Sequence, residues 1–204
     1  MLYLKETSSD GDLLSIWKFE ESTDELLRLF RDFRTKDEDE MNGYKSEKRQ
    51  IEYLSVRALL LNALGHECQV LHDEAGKPSL TDEGSLHISI SHTKGYASIF
   101  LSPNRNVGID VEQISNRIFR VKNTFLNKME QQVIDSNDKI QLLLCWSAKE
   151  TVYKLIPGLS LEYWEQIIIK NLDMERNTIL CEVDGKDIVS LKFRVFPEFV
   201  LVNS

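Results

Sequence analysis

Two carboxylates that stand two residues apart in an apolar stretch are the first candidates for chemistry in this chain. Asp110 and Glu112 lie in the run Val-Gly-Ile-Asp-Val-Glu, where apolar and polar residues alternate with the period of a half-buried strand. The alternation predicts a strand over residues 107–112 with its valine and isoleucine side chains in the core and both carboxylates on the opposite, open face. Two acids side by side repel each other, so this pair is either solvated at a strand end or gathered around a cation such as Mg²⁺.

A second group of candidates lies on a predicted helix in the second half of the chain. Residues 139–155 have the apolar content of a buried helix and are followed by Pro-Gly, a helix-ending pair. Glu150 and Lys154 stand four residues apart, which makes them either a surface ion pair worth on the order of a few tenths of a kcal/mol or a carboxylate and a cation that serve a phosphate site. Upstream, Asn127 and Glu130 have the spacing of a capping box, which accounts for Glu130 without a catalytic role.

Basic residues follow one face of another predicted helix, over residues 45–64. Arg49, Tyr53 and Arg57 recur there at four-residue spacing in an otherwise acidic protein. They form either a solvated helix face paired with glutamates such as Glu52, or an anion site, because guanidinium groups hold phosphates in bidentate fashion.

Two further segments offer hydrogen-bond donors. Lys77 lies in a Gly-Lys-Pro loop and is either a turn residue or a ligand contact. Ser91 and His92 end a predicted strand over residues 86–92, and residues 96–101 are predicted to return beside it in a hairpin. A histidine at such a place is either structural or a donor to an anion.

Composition defines the general class of protein. The chain has 204 residues, 42% of them hydrophobic, and a net charge of −8, which is enough apolar material for one domain or two small halves. A polar turn near residue 103 is the best boundary, which predicts halves 1–103 and 104–204. The net charge argues against nonspecific nucleic-acid binding.

Three features predict a cytoplasmic protein without a membrane partner. No apolar stretch has the length of a membrane span, and the N-terminus has no basic region followed by an apolar segment. Cysteines are odd in number, far apart and set among apolar neighbours, which is typical of reduced core thiols. These cysteines are Cys68, Cys145 and Cys181.

Taken together, the motifs resemble those of the Sfp-type 4′-phosphopantetheinyl transferases, in the family's order and with similar spacing. Five short patterns in sequence, spread over residues 45–155, are far more specific than any one of them. The patterns are Gly76-Lys77-Pro78, Ser89-Ile90-Ser91-His92, Val107-Gly108-Ile109-Asp110-Val111-Glu112, Phe125 with Glu130, and Trp146-Ser147-Ala148-Lys149-Glu150-Thr151-Val152-Tyr153-Lys154.

The resemblance implies a fold and a reaction. The fold would be α+β, built of two similar halves related by a pseudo-twofold axis, with coenzyme A in the cleft between them. The serine hydroxyl of an acyl or peptidyl carrier protein would attack the β-phosphate of coenzyme A, yielding the modified carrier and adenosine 3′,5′-bisphosphate. A diphosphate substrate of this kind calls for a divalent cation and positive side chains.

The resemblance also implies roles for individual residues. Asp110, Glu112 and Glu150 would hold Mg²⁺, and Glu150, or Glu112 through a water, would accept the serine proton. Lys154 and Lys149 would contact phosphate. The nucleotide and its 3′-phosphate would be held by Arg49, Arg57, Lys77, Ser91 and His92.

The partners implied are coenzyme A and a carrier protein, with the enzyme acting as a monomer. Carriers of this class are generally acidic, as is this chain, so docking would be local. The segment 119–128, with Ile118 before it, offers apolar residues rimmed by Arg117, Arg120, Lys122 and Lys128, unless those apolar residues simply cover the core. Two alternatives remain: a catalytically inactive relative that binds coenzyme A or a carrier, and an interaction protein whose motifs are surface residues.

Overall fold

The chain divides into two units, residues 1–105 and 106–204, at the polar turn that follows the sixth strand. Each unit combines an antiparallel sheet with helices, so the predicted α+β class is confirmed. The pseudo-twofold relation between two halves stays a prediction. The structure is a computed structural model, and it describes residues 1–30, 35–81, 83–84, 86–156, 158–159 and 163–204.

The first unit is built on a four-stranded antiparallel sheet in the order β1-β2-β6-β5, with β3 and β4 forming a separate two-stranded sheet. Its elements are β1 (Leu2–Thr7), β2 (Leu13–Lys18), α1 (Thr23–Leu27), α2 (Thr35–Gly43), α3 (Glu47–Leu64), β3 (Val70–His72), β4 (Pro78–Leu80), β5 (His87–Thr93) and β6 (Tyr96–Ser102). The predicted hairpin is therefore present. The sequence also predicts two short strands over residues 1–20 and then a helix, capped by Ser22 or Thr23, through Phe33. Both strands are present, and the helix begins at Ser22, whose side chain and that of Glu25 form a capping box, but it ends at Leu27. Phe33 itself lies outside the described residues.

Helix α3 is the element that carries the candidate arginines. Its N-cap is Ser46, and it ends at Gly65, whose φ of 81° and N–H bond to Leu61 O are typical of a glycine C-cap. One side of α3 packs on β2 and β6 through residues such as Leu54 and Leu59, which are fully buried. This packing leaves Arg49, Tyr53 and Arg57 along the side that lines a pocket.

The second unit is a five-stranded antiparallel sheet in the order β7-β11-β10-β9-β8 with a long helix, α5, packed on it. Its elements are β7 (Ile109–Gln113), α4 (Ile118–Phe125), a 3-10 turn (Glu130–Gln132), α5 (Lys139–Leu155), α6 (Tyr163–Gln166), β8 (Ile167–Asp173), β9 (Thr178–Val183), β10 (Asp187–Val195) and β11 (Phe199–Asn203). The predicted helix over 139–155 is confirmed; Pro157, its predicted stop signal, lies outside the described residues. All three cysteines of the chain are buried thiols, as predicted.

The first part of strand β7 is buried on both faces, which corrects the expectation of an open face for Asp110, while Glu112 is half-buried. Ile109 and Val111 are buried as predicted, but Asp110 is only 4% exposed. Gly108, just before the strand, explains this burial. A Cβ atom there would lie 2.2 Å from the carbonyl oxygen of Thr151, so only a glycine lets α5 approach the strand so closely.

Candidate functional site

Asp110 is held by two side chains of α5. Its Oδ2 accepts a hydrogen bond of 2.7 Å from Ser147 Oγ, and its Oδ1 lies 2.8 Å from Lys154 Nζ. Lys154 Nζ also donates to the carbonyl oxygen of Ile109, and its side chain keeps 26% exposure. The strand carboxylate and the helix lysine, 44 residues apart in sequence, are therefore in direct contact, whereas a metal ion shared by Asp110 and Glu150 stays a prediction.

Glu112 lies beside the same helix, where burial and neighbouring carboxylates destabilise its charged form. Its Oε1 accepts a hydrogen bond of 3.0 Å from Trp146 Nε1. Burial is the main factor that raises the pKa of Glu112 to about 7, and the negative charges of Asp110 and Glu150 raise it further. The Trp146 N–H and the Lys154 ammonium act in the opposite direction. Glu112 thus lies close enough to the other two predicted metal carboxylates to be repelled by both.

The chemistry of this donor set fits a divalent cation, although its geometry is not that of a formed metal cage. Carboxylate oxygens are the ligands that Mg²⁺ prefers, and a cation would relieve the repulsion that raises the pKa of Glu112. In the part of the chain that the structure describes, no cluster of three or more acidic, histidine or cysteine side chains has metal-binding geometry. Both oxygens of Asp110 are instead engaged by Ser147 and Lys154.

Lys149 is placed where a phosphate cannot reach it, which is at odds with the contact that the resemblance implies. Its side chain is 1% exposed, and its Nζ lies 2.8 and 3.0 Å from the two carboxylate oxygens of Glu130. The same ammonium donates to the carbonyl oxygens of Phe125 and Trp164. A buried ammonium with all its donors engaged serves the fold.

The predicted capping box between Asn127 and Glu130 is confirmed. Asn127 Oδ1 accepts from the Glu130 N–H at 2.9 Å, and Glu130 Oε2 accepts from the Asn127 N–H at the same distance. The segment that it opens is only a single 3-10 turn, however. Glu130 Oε1 is used differently, because it accepts the backbone N–H of Ile169 in β8.

A pocket of about 270 Å³ in the first unit brings together several of the predicted nucleotide ligands. Arg49, Arg57 and His92 all line it, with Gly76 of the Gly-Lys-Pro loop. Lys77 and Ser91 are not among the lining residues, although each is next in sequence to one that is. The predicted face of α3 is thus a pocket wall and not a fully solvated surface.

The arginines of this pocket are paired with carboxylates. Arg49 Nη1 lies 2.9 Å from Glu52 Oε2, as the ion-pair alternative predicted, and Glu52 itself is buried. Arg57 Nη2 lies 3.7 Å from Glu40 Oε2, and its guanidinium carbon lies 3.6 Å from the centre of the Tyr53 ring. Two arginines and two glutamates line the pocket, so a phosphate would have to compete with internal carboxylates.

Sequence reasoning missed the acidic and aromatic part of this pocket. Glu40, Tyr44, Glu52 and His72 also line it, and Tyr44 packs on Tyr53 with ring centres 5.6 Å apart. The acidic run that contains Glu40 is indistinguishable from a solvated connection in sequence, because its contact with Arg57 spans two different helices.

A second pocket, of about 380 Å³, lies beside Glu112 and Trp146 in the second unit. Arg117, Ile118 and Val121 of the predicted docking segment line it. Apolar residues of that segment also cover the core, which was the competing interpretation: Ile118, Phe125 and Leu126 are buried in the main cluster of this unit. The inner face of the segment therefore packs inward and its edge borders a pocket, and docking of a carrier there stays a prediction.

Comparison with known proteins assigns the second unit to a family. Residues 106–195, nearly all of this unit, match the sequence model of the 4′-phosphopantetheinyl transferase superfamily. This stretch contains all the carboxylates and lysines described beside α5, in a mixed fold of the expected class. The second unit thus matches the 4′-phosphopantetheinyl transferase superfamily, the family that the motif resemblance predicted.

Two kinds of curated relative are similar to the chain. A holo-[acyl-carrier-protein] synthase of Halalkalibacterium halodurans is 28% identical over 101 residues, which are 42% of this chain and 85% of that protein. The 4′-phosphopantetheinyl transferase AcpT of Escherichia coli O157:H7 is 25% identical over 116 residues, 52% of this chain and 57% of AcpT. AcpT of strain K12 matches to the same extent, so the similarity covers little more than half of the AcpT proteins.

Proposed function

We propose that this protein transfers the 4′-phosphopantetheine arm of coenzyme A to a serine of an acyl or peptidyl carrier protein, with release of adenosine 3′,5′-bisphosphate. The observation that carries the proposal is the acid–lysine cluster beside α5. The cluster lies within the residues that match the superfamily. In it, the carboxylates of Asp110 and Glu112 lie near the partly exposed ammonium of Lys154.

The proposed roles follow from charge and exposure. Asp110, Glu112 and Glu150 would hold Mg²⁺, which when bound supplies positive charge against the diphosphate. Lys154 is partly exposed, so its ammonium can turn toward a phosphate oxygen and stabilise the charge that develops during transfer. Lys149 is left out of this set because it is buried.

The proton of the attacking serine needs an acceptor. The candidate acceptor is Glu150, or Glu112 through a water. The raised pKa of Glu112, about 7, is suited to a general base at neutral pH. Trp146 orients Glu112 through its N–H. The second pocket beside these two residues offers a place for the serine-bearing segment of the carrier, with Arg117 at its border. Acidic carriers would be met there by the basic residues of α4.

The pocket of the first unit is assigned to the nucleotide. Arg49, Arg57 and His92 line it together and are suited to a phosphomonoester, with Tyr44 and Tyr53 as apolar surface for a base. Lys77 and Ser91 remain candidates at its margin. That this pocket and the cluster beside α5 serve one reaction is part of the proposal, as are the halves 1–103 and 104–204, a monomeric state and a cytoplasmic location.

The transfer is tested by mass spectrometry of apo-carrier proteins after incubation with the protein, coenzyme A and Mg²⁺. We expect the mass of one phosphopantetheine arm to be added by the parent and by Lys186→Ala, whose lysine lies in an exposed turn of the same unit. Lys154→Ala should lower the rate by about 100-fold or more. No added mass on any carrier from the source organism, while coenzyme A and Mg²⁺ both bind, would overturn the proposal.

One observation favours the alternative of a catalytically inactive relative that binds coenzyme A or a carrier. Both oxygens of Asp110 are already engaged by protein donors, which competes with a metal role. Thermal unfolding with coenzyme A, in the presence and absence of Mg²⁺, separates the two functions. Stabilisation that requires both ligands together supports the transferase, and equal stabilisation by coenzyme A alone supports the binding protein.

A further inference from the structure

We propose that the buried ion pair of Lys149 and Glu130 is a positioning device, which holds α5 in the rotation that presents Glu150 and Lys154 to the reaction and keeps Trp146 bonded to Glu112. Neither member of the pair would touch a substrate. The inference rests on the proposed function for its consequence, but its structural part can be tested separately.

The pair is as completely buried as any group of the second unit. Lys149 is 1% exposed and Glu130 is 0% exposed. Their side chains contact each other, the carbonyl oxygens of Phe125 and Trp164, and the backbone N–H groups of Asn127 and Ile169. Removing two charges from water is costly, and a well-packed apolar pair is often equally or more stable. Stability alone therefore does not account for a lysine at this place.

The contacts of the pair join five segments spread over residues 125–169. From Lys149 in α5, the ammonium reaches the carbonyl oxygen of Phe125 at 2.8 Å, at the end of α4, and that of Trp164 at 2.9 Å, in α6. From Glu130 in the 3-10 turn, one oxygen accepts the N–H of Ile169 in β8 at 2.9 Å. A rotation of α5 about its axis would break several of these bonds at once.

A short path of contacts leads from the pair to the candidate site. Phe125, whose carbonyl is held by Lys149, packs its ring edge-on against Trp146 with centres 5.3 Å apart. Trp146 donates its indole N–H to Glu112. Glu150 is the next residue after Lys149, so the direction of its side chain from the helix follows from the position of the buried lysine.

The capping box at Asn127 and Glu130 is complete without Lys149, so the lysine has a role beyond capping. Asn127 and one oxygen of Glu130 satisfy the cap without any cation. The lysine adds contacts to both oxygens of Glu130 and to two carbonyl groups, and these contacts fix α5 relative to the capped turn. Such supporting partners typically change metal affinity or activity by about 10–100-fold when they are removed.

The test uses a double substitution that leaves no lone buried charge, Lys149→Met with Glu130→Gln. In this variant we expect the dissociation constant for Mg²⁺, measured by calorimetry, to rise about 10-fold or more and kcat to fall about 100-fold. Coenzyme A binding without Mg²⁺ should stay within about twofold, because its proposed ligands lie in the first unit. Glu130→Asp, which retains the ion pair over a longer distance, should recover part of the loss.

A matched control separates positioning from general loss of stability. Leu191→Ala creates a cavity at a fully buried position of the same core and should lower the Tm, while Mg²⁺ affinity and kcat, measured well below the Tm, stay near those of the parent. If the double variant behaves like this control, with a lower Tm and unchanged Mg²⁺ affinity and kcat, the positioning role is wrong.

A spectroscopic readout keeps this inference apart from the proposed function. The indole ¹⁵N–¹H resonance of Trp146, assigned with Trp146→Phe, reports the hydrogen bond to Glu112. It should shift and lose exchange protection in the double variant but not in Leu191→Ala. If the resonance shifts in the double variant and the parent shows no transfer activity, the positioning role is retained and only the transferase proposal is overturned. If the resonance does not shift in the double variant, the positioning role is wrong.

Discussion

Asp110→Ala should destabilise the protein as well as abolish its transfer activity, because this carboxylate is an interior group. The substitution removes the acceptor of Ser147, whose hydroxyl is fully buried, and a group of that kind left without a partner costs about 1–3 kcal/mol. It also removes the partner of Lys154, whose ammonium is partly hydrated and therefore contributes less, about 1 kcal/mol. The expected loss is about 2–4 kcal/mol in the free energy of unfolding.

This loss corresponds to a decrease in Tm of about 5–15 °C for a chain of this size. The measurement is thermal unfolding followed by circular dichroism, with a chelator present so that no bound cation contributes. Asp187→Ala removes an exposed carboxylate of the same unit and should leave the Tm nearly unchanged. Asp110→Asn keeps an acceptor for Ser147 and should lie between the parent and Asp110→Ala.

The reasoning would be refuted by an Asp110→Ala protein whose Tm lies within about 2 °C of the parent in the presence of chelator. Such a result would mean that the strand face is open to solvent and that the two hydrogen bonds to α5 contribute nothing. Loss of transfer together with an unchanged Tm would then assign Asp110 to the chemistry alone.

Three further predictions concern other parts of the site. The pKa of Glu112 is raised from about 4.5 to about 7, so its contribution to stability is fully present below pH 4.5 and is lost as the pH rises through 7. The free energy of unfolding of Glu112→Gln should therefore increase relative to that of the parent by up to about 3 kcal/mol between pH 4.5 and 8. An equal difference between the two proteins at both pH values would contradict this. Gly108→Ala should cost about 3 kcal/mol, measured by urea unfolding, because its Cβ would meet the Thr151 carbonyl; a variant as stable as the parent would show that α5 can move away freely. Glu40→Gln should tighten coenzyme A binding about 5-fold, measured by calorimetry, because it removes a carboxylate that competes for Arg57 in the pocket. The control Glu38→Gln, on the same helix, should have a smaller effect, and equal effects would mean that only the overall charge matters.

Much of the local structure of both units was predictable from sequence. The hairpin of β5 and β6 turns at Gly95, whose φ of 86° suits that residue, and the helix starts at Ser22 and Ser46 carry side chains that accept backbone N–H groups. The capping box at Asn127 was predictable for the same reason. These features depend on residues within a few positions of one another, so their periods and spacings can be found in the chain itself.

The partners of the charged side chains were less predictable. The sequence left two roles for Arg49, a solvated ion pair or an anion site. In the structure, Arg49 is paired with Glu52 at the wall of a pocket. Lys149 and Lys154 belong to one motif and differ little in sequence terms, yet one is buried against Glu130 and the other is partly exposed beside Asp110. Five residues along a helix correspond to a rotation of 500°, so the two lysines point in directions 140° apart.

The sequence by itself determined the class of fold and the family that residues 106–195 match, and it proposed the residues from which a site can be built. The tertiary structure alone decided which of those residues are buried and which remain accessible. Strand β7 has the alternation of a half-buried strand, but α5 covers its polar face because Gly108 allows the helix backbone to approach. Periodicity describes one element at a time, whereas burial depends on which second element packs against it, and here that element begins 26 residues after the strand ends.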